Sequence, residues 1–306
     1  MSLNIVFMGT PEFSVPALEL LLKNKFNIVK VYTQPPKKSK RGQKINPSPI
    51  EEYCKKNKIS FRNPEILNTQ EELKIFKELS ANLIIVVAYG KIIPKNFLNL
   101  TKKGFINIHA SILPKWRGAA PIQRSIMNLD KETGISIMKI TEELDTGPVC
   151  NIYKIDLEKN LNAKDISEKL SLLAAEKILD NIDDILEDKA VFKPQDDAKA
   201  TYAKKILKSE SRIDWYESAK NIIGKINALH PNSFFIYNGE RYKILKAELS
   251  SKIGESGDVL SDNLDIGCNE GSIKVLEIQR EGKRLQKINE FMHGSQIKKG
   301  SNFNNA

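Results

Sequence analysis

An alternation of short apolar runs with amphipathic segments is the feature of this sequence that most constrains its fold. Runs with the length and apolar character of buried strands occur at 3–8, 27–33, 82–88 and 105–109. Helical spacing of apolar residues appears between them, at 14–24, 49–57 and 69–79. This alternation predicts an α/β fold with a parallel, doubly wound sheet, in which ligands bind at the carboxyl ends of the strands. Further runs at 134–140 and 149–157 predict strands of more antiparallel character.

The second half of the chain changes character twice. Residues 162–187 repeat apolar side chains at helical intervals, whereas the Lys-rich stretch 188–208 shows no comparable periodicity. A helix near 216–228 then precedes short alternating strands, predicted at 233–237, 241–247, 257–260, 265–267 and 272–279. For 306 residues we therefore predict an α/β domain over 1–187, a linker over 188–208 and a small β-barrel domain over 209–306. The last residues, 301–306, are expected to form a disordered tail.

The net charge of the chain favours an anionic partner. Lys and Arg number 48 against 38 Asp and Glu, which gives a formal charge of +10 at pH 7. Nucleic acid, a phosphorylated or polycarboxylate ligand, or an acidic membrane surface would each suit this charge. Because 40 of the 48 basic residues are Lys, compositional drift is an alternative source of the excess.

The cysteines and the apolar runs indicate the cellular compartment of the protein. Cys54, Cys150 and Cys268 are scattered, and no CxxC or Cys/His cluster accompanies them, so we expect neither disulfides nor a bound metal. The N-terminal residues lack the pattern of a signal peptide. The longest apolar run, 83–89, is far shorter than the roughly 20 residues of a membrane span. We expect a soluble, cytoplasmic protein that does not associate with membranes.

The segment 105–121 carries the strongest chemical signal. Asn107 and His109 lie two residues apart at the end of a predicted strand, so their side chains point to one side of the sheet. An amide donor beside an imidazole can polarise a carbonyl group and move a proton. A carboxylate that orients the imidazole would complete the set, and the loop 141–148 offers three unranked candidates: Glu142, Glu143 and Asp145.

Two loops in the first half of the chain indicate what kind of ligand the protein binds. The turn after the first strand, 9–13, has no GxGxxG pattern, which disfavours a nicotinamide cofactor. Residues 34–49 contain four prolines and no acidic residue, and we expect them to project as a semi-rigid basic loop. The basic residues of this loop are candidates for phosphate contacts, the alternative being a solvated surface: Lys37, Lys38, Lys40, Arg41 and Lys44.

These motifs together resemble the methionyl-tRNA formyltransferases. The resemblance rests on GTPEF at 9–13, RGQKINPSP at 41–49, VVAYGKIIP at 86–94, NIHASILPKWRGAAPIQRS at 107–125 and LDTGP at 144–148, with weaker likeness at 238–247 and 275–294. It covers nearly the whole chain. It implies a Rossmann-like formyltransferase domain, a C-terminal β-barrel of the OB type that binds tRNA, and transfer of a formyl group from 10-formyltetrahydrofolate to methionyl-initiator tRNA.

The resemblance also implies roles for individual residues. Asn107, His109 and Asp145 correspond to the catalytic set, and the basic loop with Arg41 corresponds to an insertion that approaches the tRNA acceptor end. Phe13 falls where the family lines the pocket for the methionyl side chain. The positions that correspond to the folate-site motif are Ser111, Ile112, Leu113 and Pro114. We expect a monomer that needs no metal and forms no covalent intermediate with a cysteine.

Two other functions fit parts of this pattern. A formyltransferase that acts on an amino sugar or another small amine would share the catalytic residues, although the basic loop and the second domain favour tRNA. A non-catalytic RNA-binding protein would share the architecture, although the Asn-His-Asp set with the turn 111–114 argues against it.

Overall fold

The computed structural model describes residues 3–39, 44–158 and 160–304, and the chain divides into two compact units. The first unit comprises Met1–Pro121, Glu132–Ile155 and Ser167–Ala203. The second unit comprises Ile122–Lys131, Asp156–Ile166 and Lys204–Ala306.

Each predicted run up to Ala203 has an observed counterpart, and further short elements occur between them. The strands are β1 (Asn4–Gly9), β2 (Asn27–Tyr32), β3 (Lys37–Ser39), β4 (Lys44–Asn46), β5 (Phe61–Arg62), β6 (Leu83–Val87), β7 (Phe105–His109), β8 (Arg117–Gly118), β9 (Glu132–Lys139), β10 (Val149–Asp156) and β11 (Tyr202–Ala203). The helices are α1 (Val15–Lys23), α2 (Pro49–Lys56), α3 (Gln70–Glu78), α4 (Lys95–Leu98), α5 (Pro121–Met127) and α6 (Ala163–Leu186). Each predicted strand and helix in this part of the chain lies within two residues of an observed one.

The first unit is built on a seven-stranded sheet with the order β10-β9-β7-β6-β1-β2-β5. The pairs β5/β2, β2/β1, β1/β6 and β6/β7 are parallel, which confirms the predicted α/β fold class. The chain proceeds outward from β1 to β2 and β5, and then returns to the other side of β1 with β6. The strand order therefore reverses between β1 and β6, and open α/β sheets bind ligands at such a point.

The central strands are apolar on both faces because both faces are buried. Every residue of β6 is buried, and the aromatic ring of Phe76 packs against the rings of Tyr32, Phe97 and Phe105 at centroid distances of 5.2–6.0 Å. Side-chain caps define where two helices begin: Ser48 Oγ accepts a hydrogen bond from Glu51 N at α2, and Thr69 Oγ1 accepts one from Glu72 N at α3.

Strand β7 pairs differently with its two neighbours. It is parallel to β6, with Val86 opposite Asn107, and antiparallel to β9, with Met138 opposite Asn107 and Ser136 opposite His109. The expected antiparallel character of 134–140 is confirmed. The register places the buried hydroxyl of Ser136 beside the strand end that carries His109.

The basic segment that we expect to be a loop contains a β-hairpin. Strands β3 and β4 pair in antiparallel fashion, with Lys37 opposite Asn46 and Lys38 opposite Ile45. The connecting residues 40–43 lie outside the described residues. The side chain of Ile45 is 68% exposed, so the hairpin is held by backbone pairing rather than by a core, and this explains why apolar periodicity did not reveal it.

The stretch 188–203, which we expect to belong to the linker, packs on the first unit. Lys193 forms an isolated antiparallel bridge with Val149, and β11 pairs in parallel with β8. Thr201 O accepts a hydrogen bond from Arg117 N at 2.8 Å. These are backbone contacts, which leave no periodic signature of apolar residues in the sequence.

The second unit contains a mostly antiparallel sheet, as expected of a barrel-like domain. The sheet order is β12-β13-β15-β14, with β16 paired to β15. The strands are β12 (Phe234–Tyr237), β13 (Glu240–Ser250), β14 (Asp265–Gly267), β15 (Ser272–Arg280) and β16 (Gln286–Lys287), and the helices are α7 (Ala219–Ala228) and α8 (Ile288–Met292). Asn238 and Gly239 both have positive φ, as a two-residue hairpin turn requires.

Two expectations for this unit are wrong. Residues 257–260 form no strand, and Val259 makes only an isolated bridge with Ile266. The C-terminal residues up to 304 are not a disordered tail, because Phe303 is buried and its ring lies 4.4 Å from that of Phe235. A single aromatic residue among polar neighbours anchors this end of the chain, and one residue cannot produce a periodic pattern in the sequence.

Across 3–39, 44–158 and 160–304, no helix has both the length and the apolar character to cross a membrane.

Two leucines of α6 provide a matched test of this packing. Leu170 has no exposed surface, whereas Leu172 is 64% exposed on the same helix. Leu170→Ala should lower the free energy of unfolding by about 2–5 kcal/mol, because it leaves a cavity, and Leu172→Ala should change it by less than about 0.5 kcal/mol. Urea denaturation followed by circular dichroism measures both changes, and equal effects of the two substitutions would contradict the assigned burial.

Candidate active site

Asn107 and His109 lie on one face of β7, because side chains alternate along a strand. His109 is 6% exposed, and Asn107 is half-buried. Within the part of the chain that the structure describes, the Asn107 amide has no hydrogen-bond partner. Its two N–H donors are therefore available to a ligand.

The two ring nitrogens of His109 face different groups. Nε2 lies 2.9 Å from the carbonyl oxygen of Trp116, and a carbonyl only accepts, so Nε2 carries a proton. Nδ1 lies 3.6 Å from Oδ2 of Asp145. Nδ1 is therefore the nitrogen that can gain or lose a proton, and it faces a carboxylate that orients the ring.

The structure brings Asp145, and neither of the other candidate acids, to His109. The Asp145 side chain is 12% exposed, and its Oδ2 accepts a hydrogen bond of 2.9 Å from Gly118 N. The φ of Asp145 is +54°, in the left-handed region where Asp is found more often than most residues. Glu142 instead pairs with Lys95 at 2.7 Å, and Glu143 is exposed. Tertiary contacts thus decide among three acids that residue chemistry could not rank.

Ser136 stabilises the turn at 111–114 through two hydrogen bonds. Its Oγ donates to Ser111 O at 2.7 Å and accepts from Leu113 N at 3.0 Å. Ser111 and Leu113 are buried, whereas Ile112 and Pro114 are half-buried and keep surface for a ligand. Two of the four predicted folate-site residues therefore shape the turn, and the other two have accessible side chains.

Phe13 lies in a short 3-10 turn after β1 and is half-buried. The loop that carries it is tied to its neighbours: Thr10 Oγ1 donates to Tyr89 O at 2.8 Å, and Gln34 Nε2 donates to the same oxygen at 2.9 Å. These bonds join the loops that follow β1, β2 and β6, where the strand order reverses. No sequence pattern predicts these contacts of Thr10, Gln34 and Tyr89, because they depend on the order of strands in the sheet.

Of the five basic residues predicted to contact phosphate, only Lys37 has a described side chain. It is exposed, and its Nζ donates to Oε1 of Gln34. The other four are Lys38 and Lys44, which belong to β3 and β4, and Lys40 and Arg41, which lie outside the described residues. The contact of Lys37 places one cation beside the loop after β2.

Arg117 and Gln195 form a second polar cluster that the sequence analysis does not identify. Arg117 is 3% exposed, and its Nε donates to Gln195 Oε1 at 3.0 Å. Gln195 Nε2 donates to the carbonyl oxygens of Asp145 and Gly147, each at 2.8 Å. Gln195 lies in a polar stretch without periodicity, and nothing in its local sequence distinguishes it from its neighbours.

The three cysteines do not supply a nucleophile. Burial raises the pKa of the Cys54 thiol to about 12 and the pKa values of Cys150 and Cys268 to about 11, so all three are protonated near neutral pH. In the described ranges, no three His, Cys, Asp or Glu side chains come together in a way that could hold a metal ion.

Comparison with known proteins identifies the family. Residues 3–182 match the family described as formyl transferase, and residues 205–296 match its C-terminal domain. The chain belongs to the formyl transferase family. The methionyl-tRNA formyltransferase of Pelagibacter ubique (strain HTCC1062) is 62% identical over 310 residues, which cover 100% of both chains. That of Bradyrhizobium diazoefficiens (strain USDA 110) is 39% identical and covers 99% of this chain and 100% of the relative.

A solved formyl transferase shares the architecture. The N-formyltransferase from Helicobacter canadensis, in complex with folinic acid and dTDP-3-aminofucose, superposes with a TM-score of 0.70 and 21% identity. The match covers 91% of this chain and 99% of that chain. This likeness confirms the fold, with a Rossmann-like N-terminal domain. The family match and the relatives at 62% and 39% identity show that this chain is a formyl-transfer enzyme.

Ser136 provides a test of how the turn at 111–113 is held. Ser136→Ala removes a buried hydroxyl and leaves Leu113 N without its partner, which should lower the free energy of unfolding by about 1–3 kcal/mol. Because the chain has two tryptophans, a Trp215→Phe background lets Trp116 fluorescence report on the first unit during urea denaturation. Thr141→Ala, which removes an exposed hydroxyl, is the control, and a loss of similar size there would contradict this account.

Proposed function

We propose that this enzyme transfers the formyl group of 10-formyltetrahydrofolate to the α-amino group of methionyl-initiator tRNA, and so supports translation initiation. The observation that carries the proposal is 62% identity over the full chain to a methionyl-tRNA formyltransferase. The neighbour crystallised with an amino sugar nucleotide is only 21% identical, and its likeness concerns the fold. The second domain and the basic segment 34–49 favour a polyanionic substrate over a small amine.

The reaction exchanges one carbon–nitrogen bond for another. A bond forms between the α-amino nitrogen and the formyl carbon, the bond from that carbon to the folate nitrogen breaks, and one proton passes from the amine to the folate nitrogen. Asn107 would donate a hydrogen bond to the formyl oxygen, on which negative charge develops. The Nδ1 atom of His109, 3.6 Å from the Asp145 carboxylate, would hold the moving proton, and Asp145 would fix the ring.

The geometry suits the folate co-substrate. Ile112 and Pro114 present half-buried apolar surface on a turn that Ser136 holds, and Leu144, next to Asp145, is 65% exposed. Apolar surface beside polar groups is what a flat aromatic ligand with hydrogen-bonding edges requires. We assign folate contacts to the turn 111–114 and the methionyl pocket to Phe13.

The tRNA would meet the basic segment and the C-terminal domain. We assign phosphate contacts to the cations of the hairpin, of which Lys37 is placed beside the loop after β2. In this proposal, residues 1–187 carry the chemistry, 188–208 join the domains, and 209–306 form the OB-like domain that binds tRNA. Action as a cytoplasmic monomer without a metal stays a prediction.

Formylation of charged tRNA tests the substrate assignment. With 10-formyltetrahydrofolate in excess, the purified enzyme should formylate methionyl-initiator tRNA with a kcat/KM at least about 100-fold above that for methionyl-elongator tRNA or a dTDP-linked amino sugar. Acid-stable radiolabelled formylmethionine measures the product. Formylation of the amino sugar with the higher kcat/KM would replace the proposal by its closest alternative.

Substitutions at the candidate site test the mechanism. Asn107→Ala and Asp145→Asn should each lower kcat by about 100- to 1,000-fold, because one removes the donor to the formyl oxygen and the other removes the charge that faces His109. Glu143→Gln alters an exposed acid of the same loop and should leave kcat within about twofold. Steady-state rates at saturating tRNA measure these effects, and a near-normal kcat removes the substituted residue from the scheme.

A further inference from the structure

One side-chain amide outside the loop that carries Asp145 makes two hydrogen bonds to the backbone of that loop. Gln195 Nε2 donates hydrogen bonds of 2.8 Å to the carbonyl oxygens of Asp145 and Gly147. An amide NH2 group has two donors, and both are used here, on two carbonyls that flank Thr146. Gln195 therefore holds the first and the third peptide groups after Asp145, those that join residues 145 to 146 and 147 to 148.

Arg117 determines which way the Gln195 amide points. A guanidinium group has only donors, so the atom of Gln195 that lies 3.0 Å from Arg117 Nε must be the oxygen. The NH2 group is thereby directed towards the loop. Arg117 itself is 3% exposed, and its second contact is a hydrogen bond of 2.6 Å to the exposed carboxylate of Asp197.

The loop needs an external restraint to keep Asp145 in place. Asp145 has a φ of +54°, a conformation that costs a non-glycine residue energy, although less for Asp than for most, so contacts with the surroundings help to keep it. Gly147 approaches Lys139 closely, since a Cβ at residue 147 would lie 1.9 Å from Lys139 O. The bonds from Gln195 add a second restraint, and the hydrogen bond that the Asp145 carboxylate accepts from Gly118 N is a third.

We propose that Gln195 is a positioning residue for formyl transfer, which acts by holding the Asp145 carboxylate against His109 Nδ1. Arg117 presets the orientation of its amide. The inference rests on the proposed roles of His109 and Asp145. It adds a function to a segment, 188–208, that the sequence marks only as a linker.

A Gln195→Glu substitution separates positioning from simple packing. Glutamate has the shape of glutamine and keeps an oxygen for Arg117, but it has no donor for the two loop carbonyls and repels them. We expect kcat for formylation of methionyl-initiator tRNA to fall by about 10- to 100-fold, with KM changed by less than about threefold, while the enzyme stays folded and its melting temperature falls by only a few degrees because two hydrogen bonds to the loop are lost. Asp197→Asn, which alters only the exposed partner of Arg117, is the control and should leave kcat within about twofold.

The same substitution in an Asp145→Asn background tests whether Gln195 acts through Asp145. A positioning residue should cause no further loss of kcat there, whereas a separate structural contribution would lower kcat by the same factor again and overturn the inference. Should Gln195→Glu fail to fold, Gln195→Met also lacks the donors, and the same results are expected of it.

The controls distinguish failure of this inference from failure of the proposed function. Full activity of Gln195→Glu beside a strongly impaired Asp145→Asn enzyme overturns the positioning role alone. Full activity of Asp145→Asn overturns the proposed catalytic set, and the positioning role with it. A wild-type enzyme that formylates no methionyl-tRNA overturns the substrate assignment, which the measurement on the Gln195 variants does not address.

Discussion

The candidate site depends on the pairing of β7 with two strands that run in different directions. Parallel pairing with β6 brings Asn107 and His109 to the carboxyl end of the central sheet, where parallel strands leave room for a ligand. Antiparallel pairing with β9 places Ser136 opposite His109, so that its hydroxyl reaches the turn that follows. A shift of one residue in either register would turn these side chains to the other face.

Three buried or half-buried polar groups around β7 find protein partners, and these contacts shape the loops that follow it. His109 Nε2 donates to Trp116 O, Gly118 N donates to Asp145, and Arg117 donates to Gln195. A buried polar group without a partner costs about 1–3 kcal/mol, so each contact favours one loop conformation over its alternatives. The same contacts that stabilise the loops therefore also fix the positions of the His109 ring and the Asp145 carboxylate.

Much of the fold was predictable because apolar periodicity reports on burial. The run at 82–88, for example, predicts a buried strand, and every residue of β6 is buried. Apolar periodicity did not predict the elements that are held in the fold by backbone hydrogen bonds rather than by a buried apolar face. The hairpin of β3 and β4 looked like a loop, and the pairing of β11 with β8 lies in a stretch that looked like a linker. Phe303 was missed because one buried ring has no period.

The sequence by itself determined the fold class, the family and the presence of an amide and an imidazole at one strand end. These properties follow from local spacing and from motifs that are contiguous in the chain. The motif at 144–148 already pointed to Asp145 through the family resemblance, but only the tertiary structure showed that Asp145, and neither Glu142 nor Glu143, lies beside His109, and only it placed Gln195 on the loop. Both outcomes depend on contacts between residues 36 to 50 positions apart along the chain, as with His109 and Asp145 or Asp145 and Gln195. No local pattern encodes such contacts, because they arise when separate loops are brought together by the sheet.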